Sequence, residues 1–331
     1  MKKLVLMITA LMACLVVRAA DKVTIEYNGA TATVTIPSGL AAYVTCSSGT
    51  SSHVKLKQSD AVGAGTSGEI TYELSGSSDD GEFYLEGSYK CSIDLKGLNL
   101  NNPTGPAIDI EDGKRINVSA KKDTESTLSD GTDGNWKACL YGKGHFEFSG
   151  KGKLNVVGNT AHAISCKEYL QVKNLTLNIT GAKKDGLHCK QYFMMESGTI
   201  NISGVEDDGI QVELEKDEPY TGALADHEDG DVDENSGNCY FDDGTLTIGE
   251  CGTSVIKTDG QVVINGGKQN YDNTKVLQNQ NPATGISALR NDVMTGEAVY
   301  DLSGRQLKNG TQRKGVVIIR NGNEIQKVIV K

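Results

Sequence analysis

The chain has 331 residues, and its 43 acidic against 33 basic side chains give a formal charge of −10 at neutral pH. That balance argues against nucleic acid or an anionic membrane surface as a partner, but it does not bar an acidic ligand, because a bound cation reverses the local sign. Thirty-nine glycines and five prolines, among abundant Thr, Val, Ile and Asn, favour many short strands joined by tight turns: one large all-β domain and a small one.

The amino end has the layout of an export signal. Lys2 and Lys3 precede an apolar run from Leu4 to Val17 that is too short to span a bilayer and ends in small residues at Ala19 and Ala20. This predicts a signal peptide over residues 1–20 and a mature chain that is secreted or held at the cell surface. An alternative takes Leu11-Met12-Ala13-Cys14 as a lipobox with Cys14 lipidated, although the apolar stretch runs on past Cys14. No later segment is apolar enough to cross a membrane. Seven of the eight cysteines would remain after cleavage, with no Cys-x-x-Cys pair. That odd set describes neither a disulfide framework nor a zinc or redox site, so most are read as buried thiols. Whether Cys166 and Cys189 are bonded stays open.

Residues 21–60 read as a β cap, because Val23 to Ile36 alternates around the hairpin signal Tyr27-Asn28-Gly29. The region 61–267 carries a repeat. His162-Ala163-Ile164-Ser165-Cys166, Asp185-Gly186-Leu187-His188-Cys189 and Asp208-Gly209-Ile210-Gln211-Val212 follow one another at 23-residue steps, and Ser254-Val255-Ile256-Lys257 resumes the register. Each unit continues into an alternating strand closed by glycine, such as Gly198-Thr199-Ile200-Asn201-Ile202-Ser203-Gly204. A period in the low twenties made of short strands without helix is one coil of a parallel β-helix. Alternation then sends Ile164, Leu187, Ile210 and Ile256 into the core, and Ser165, His188, Gln211 and Lys257 onto an outer strip.

The corner before each of these strands carries His162, Asp185, Asp208 and Ser254. Two carboxylates one rung apart need neutralising, by capping a tight turn through the Asp-Gly pair or by also ligating calcium. Between Gln211 and Tyr240 an acidic insertion over 213–239 interrupts the coil. Its Asp229-Gly230-Asp231-Val232-Asp233 has the alternate-carboxylate spacing that surrounds a hard cation, though Glu234 and Tyr240 occupy the positions where a full calcium loop has Gly and Glu. The candidate calcium ligands are therefore Asp185, Asp207, Asp208, Asp229, Asp231 and Asp233, with a solvated charged loop as the alternative for the last three. Candidate ligand contacts are His188, Gln211, Lys190 and Lys257.

The run through Ile70-Thr71-Tyr72-Glu73-Leu74-Ser75-Gly76, Leu95-Lys96-Gly97-Leu98-Asn99-Leu100, Asp112-Gly113-Lys114-Arg115-Ile116, Lys137-Ala138-Cys139 and Asp185-Gly186-Leu187-His188 resembles the carbohydrate-binding domain-containing proteins of Bacteroidetes over about residues 60–267. The resemblance implies a right-handed parallel β-helix akin to pectate lyases that binds acidic, pectin-like polysaccharide with calcium. After a polar linker at 268–285, residues 286–331 predict a small antiparallel β-sandwich. There Val299-Tyr300-Asp301-Leu302-Ser303-Gly304-Arg305, Gly315-Val316-Val317-Ile318-Ile319 and Lys327-Val328-Ile329-Val330-Lys331 resemble the sorting domain of type IX secretion, with Val317 where an aromatic is usual.

Three functions stay in view: a carbohydrate-binding protein, a structural or adhesive surface protein, and a calcium-dependent polysaccharide lyase. A lyase needs a cationic base across the cleft, for which Lys167, Lys190 and Lys257 are the candidates, but none lies in a catalytic motif. The single tryptophan, Trp136, suits recognition of charged sugars through ions and hydrogen bonds better than stacking on neutral ones.

Overall fold

The computed structural model describes residues 22–61, 69–215 and 235–279, together with the backbone of three short strands nearer the carboxy end. The expected signal peptide, Cys14, and the acidic residues Asp229, Asp231 and Asp233 lie outside the described residues.

The fold is the expected all-β parallel helix, with three columns of strands. The first face stacks His53–Gln58, Glu82–Glu86, Ile108–Glu111, Ala138–Gly142, His162–Cys166, Leu187–Cys189, Ile210–Val212, Ile256–Thr258 and Val276–Leu277, all in parallel. The long strand Cys91–Asn102, laid parallel on Ile70–Ser78, is where the other two part. Its first half pairs with Ile116–Ala120 and founds the second face; its second half pairs with Glu125–Asp130 and founds the third. Gly97, at φ +68°, lies between the two halves, a left-handed conformation that glycine adopts at no steric cost.

The inward column is as the repeat predicts. Ile164 pairs with Leu187, Leu187 with Ile210 and Ile210 with Ile256, and all four are buried. Each contributes about 1.5–3 kcal/mol of burial, so like stacked on like makes a continuous core. Cys166 and Cys189 are buried free thiols, and burial pushes Cys166 up to about 12, far from any reactive thiolate.

The coils reach beyond 61–267 at both ends. Val23–Asn28 forms the expected hairpin with Thr31–Thr35 through Gly29, yet it also pairs in parallel with Ile70–Ser78. His53–Gln58, expected within the cap, is already a rung of the first face. The start of the expected linker is a further coil as well: Lys268–Asn270 pairs with the strand Thr245–Ile248, and Val276–Leu277 with Ile256–Thr258. Its polar look arises because Lys268 and Asn270 are exposed at the end of the stack. Farther on, the backbones of Glu297–Tyr300, Gly315–Asn321 and Glu324–Val330 form an antiparallel sheet, with Val317 opposite Val328. No helix among the described residues is long and apolar enough to cross a membrane.

The Asp-Gly pairs act between coils, where a local turn cap was expected. Neither Gly186 nor Gly209 has a left-handed φ. A Cβ on Gly186 would lie 2.7 Å from the Gly209 carbonyl oxygen, and one on Gly209 would lie 2.6 Å from that of Val255. Glycine is there because the next rung comes this close. Gly209→Val is expected to cost about 1–3 kcal/mol of stability, read as a lower urea midpoint at unchanged slope.

Candidate functional site

The corner column builds a ladder of side-chain acceptors. Asp185 Oδ1 accepts from the amide of Asp208 at 3.1 Å, and Asp208 Oδ1 accepts from the amide of Ser254 at 2.9 Å. One rung below, His162 Nδ1 sits 3.0 Å from Asp185 Oδ2 and 3.3 Å from the Asp185 amide. One nitrogen cannot donate to the first and accept from the second, so the shorter contact assigns its proton to the carboxylate.

The outer strip lies diagonally over this ladder. His188 stacks on His162, with ring centres 4.4 Å apart and planes at 14°. With its amide nitrogen turned toward Asp185, the orientation that satisfies both of its ends, Gln211 donates to Asp185 Oδ2 at 2.6 Å and accepts from Lys257 Nζ at 3.3 Å. Lys257 Nζ in turn lies 3.4 Å from Asp208 Oδ2. His188 Nδ1 lies 3.1 Å from the Ser165 hydroxyl, and burial lowers the His188 pKa, leaving the ring neutral at pH 7. Side-chain bonds from His188 and Lys190 hold Glu213 at about 2, and Lys190 Nζ is 2.7 Å from that carboxylate. The four residues expected to contact ligand therefore share one strip, with Lys190 and Lys257 already in ion pairs. Lys167 is exposed.

Two groups of possible metal donors meet here, each with donor atoms within 4.8 Å of one another: His162, Asp185 and His188, and Asp185, Asp207 and Asp208. The first does not converge on one ion, since imidazoles stacked nearly parallel cannot both aim an in-plane lone pair at the same point. The second offers only oxygens, the donor type of a hard cation. Asp185 is 1% exposed and Asp208 is fully buried, and burial raises the Asp208 pKa above the usual carboxylate value. Asp208 Oδ2 and the Ser254 hydroxyl are buried without a hydrogen-bond partner. The Lys257 ammonium, 3.4 Å from Asp208 Oδ2, meets part of the cost of burying that oxygen, and a cation seated among the three carboxylates would meet it more fully.

Sequence reasoning missed Asp109. It occupies the same outer column, between Tyr84 on the rung below and Tyr141 on the rung above. Its Oδ1 is buried without a partner, and burial, followed by Glu111 and Glu82, pushes its carboxyl up to about 7. Lys137 Nζ covers the Tyr141 ring at 4.9 Å and bonds its hydroxyl at 3.2 Å. Because Asp109 titrates higher in the folded chain than in the unfolded one, stability falls as pH rises from about 4 to about 7. Asp109→Asn is expected to remove that fall and to stabilise the protein by on the order of 1–2 kcal/mol at pH 8, after allowing for solvent screening. Melting curves of both proteins at pH 4 and pH 8 check it: the gap should open only at the higher pH.

Comparison with known proteins fixes the family. The family model of carbohydrate-binding domain-containing proteins matches residues 58–323, most of the chain. The chain belongs to that family. No curated protein matches it. Among solved structures it is similar to the polysaccharide lyase-like protein from C. thermocellum, determined as a gadolinium derivative, at 18% identity and a TM-score of 0.53. The match covers 78% of this chain and 99% of the other, and at that identity the likeness is one of fold. Membership of the family supports a carbohydrate-binding role and a polysaccharide partner.

Proposed function

We propose that this protein is a non-catalytic binder of acidic, pectin-like polysaccharide that works with calcium. It is exported from a Bacteroidetes cell by the signal peptide over residues 1–20 and kept at the surface through its type IX sorting tail. The observation that carries the reading is the all-oxygen corner of Asp185, Asp207 and Asp208, in which the buried Asp208 Oδ2 has the Lys257 ammonium at 3.4 Å but no hydrogen bond. Three protein carboxylates fall short of the six to eight oxygens that calcium takes, so the uronate carboxylate and water would supply the rest. Lys257, whose side chain is 36% exposed, would leave Asp208 for the sugar carboxylate when the cation enters. His188 and Gln211 would add hydrogen bonds along the strip, and Lys190 a second cation.

Catalysis asks for more than these groups offer. Lys190 and Lys257 are engaged with carboxylates and are poorly placed to take a proton from a sugar. The test incubates the protein with polygalacturonate and calcium while following retention on the polymer and the ultraviolet absorbance of unsaturated products. Retention abolished by EDTA, without a rise in absorbance, is expected. A steady rise lost in Lys257→Ala would replace this reading with a lyase, and failure to bind any acidic polysaccharide would leave a structural or adhesive surface role.

A further inference from the structure

The first face carries a second group of unmet side chains, in the outer column that leads to the corner. Tyr84, Asp109 and Tyr141 follow one another there in register, and the column continues through Ser165 and His188 to Gln211. The glutamates around Asp109 each have a lysine: Glu82 lies 3.9 Å from Lys55, Glu86 2.6 Å from Lys57 and Glu111 4.0 Å from Lys143. Asp109 has none. It is half-buried, no donor among the described residues reaches either carboxyl oxygen, and Oδ1 is fully covered. Lys137 is the converse case. Its ammonium lies in no ion pair among the described residues; the exposed side chain rests on Tyr141, with Nζ 4.9 Å from the ring centre and 3.2 Å from the hydroxyl. Two opposite formal charges thus stand on neighbouring rungs without closing on each other. Stability accounts for the paired glutamates, but not for an unbonded carboxyl one rung from an unpaired ammonium.

We infer that Lys137, Tyr141 and Asp109 form a subsite for the carboxylate of an acidic sugar, one that needs no metal ion. The ammonium supplies the charge, and the Tyr141 hydroxyl, which accepts from Lys137, keeps its own proton to donate. A neutral Asp109 adds a third donor, where an ionised one would repel the ligand. The groups facing it are Glu82 and Tyr84 on the rung below, Glu111 on its own strand, and Lys137 and Tyr141 on the rung above. Burial, then Glu111 and Glu82, hold the proton on Asp109 toward neutral pH, and the Lys137 charge is then left over for a ligand. Tyr141 stands three rungs from Gln211, roughly 14 Å, so a single acidic chain laid along the face would meet both places. The inference rests on the acidic-polysaccharide reading and extends it beyond the calcium corner.

Digalacturonate titrated into the full chain with EDTA present, followed by ligand-observed NMR, tests it. At pH 5.5 a dissociation constant on the order of 1 mM is expected, too weak to retain the protein on a polymer without calcium. At pH 8.5 binding should be about 30-fold weaker, because Asp109 titrates at about 7 while the sugar carboxylate is ionised throughout. Asp109→Asn keeps a donor at every pH, so it should bind equally at both and, at pH 8.5, more tightly than the unaltered protein. Lys137→Met removes an exposed ammonium and should lose the binding at both pH values while melting as before. The uncharged dimethyl ester should not bind, and acetate should bind more weakly than the sugar. The inference is overturned by an absence of binding at pH 5.5, by equal binding of the ester or of acetate, by binding that ignores pH in the unaltered protein, or by normal binding in Lys137→Met. Because EDTA is present throughout, none of these results touches the corner site. Loss of calcium-dependent retention on polygalacturonate, with digalacturonate binding intact, would strike the corner alone.

Discussion

Phe193→Ala is expected to lower the unfolding free energy by about 3–5 kcal/mol, the usual cost of emptying a fully buried phenyl site. Phe193 has no exposed surface and sits on the second face between Leu170 and Cys239. Its ring centre is 5.8 Å from that of Phe241, so the truncation also removes an aromatic contact across a coil boundary. That boundary is where the sequence leaves the solenoid for the excursion over 213–239, and the chain re-enters at Cys239–Phe241. Each coil of a solenoid is held mainly by its neighbours, so a cavity at one junction weakens everything stacked beyond it. Urea unfolding followed by circular dichroism gives the total loss. Amide exchange should show Cys239–Phe241 and Val262–Ile264 losing protection before Phe146–Gly150. A loss below about 1 kcal/mol would mean that the coils on either side close over the gap, contrary to a column of stacked large side chains.

The parts of this architecture that could be read in advance are those where coil length is constant. His162, Asp185 and Asp208 stand 23 residues apart, so alternation within each strand placed Ile164, Leu187 and Ile210 in the core without further information. Toward the amino end the step changes: Asp109, Tyr141 and Ser165 are separated by 32 and then 24 residues, because the turns between faces vary while the strands do not. That irregularity hid Asp109, although it belongs to the same column as His188. The last coil was hidden differently. A strand such as Lys268–Asn270, with Lys268 and Asn270 exposed, has no hydrophobic alternation to announce it, and only pairing with Thr245, Leu246 and Thr247 reveals it. Contacts between positions were also out of reach. Register places Asp185 and Gln211 on neighbouring rungs, but their bond depends on side-chain rotamers, which no periodicity encodes. The Asp-Gly motif shows the same limit: its composition suggested a turn, whereas its glycines admit the next rung and its carboxylates accept from it.

Asp208→Asn separates the proposed binding from the fold. The amide retains an oxygen to accept from Ser254, so the corner ladder stays closed. It also removes a charge that burial disfavours. The folded-state pKa of Asp208 is raised, so its ionisation subtracts stability as pH rises above the ordinary carboxylate value near 4. Without calcium, then, the variant should be at least as stable as the unaltered protein at pH 8, and the two should converge at the acid end. With calcium the order reverses. At a hundredfold excess over the dissociation constant, a cation bound only to the folded chain adds about 2.7 kcal/mol, or about 5–10 °C in melting temperature for a domain of this size. The unaltered protein should show that rise and the variant should not. Loss of one carboxylate from a three-carboxylate site should weaken calcium-dependent retention on polygalacturonate by about 100-fold or more, since even supporting groups around a metal are worth 10–100-fold. Retention that survives Asp208→Asn unchanged would move the cation away from this corner. A variant that melts lower than the unaltered protein without calcium would show that the Asp208 charge, through Lys257, serves the fold.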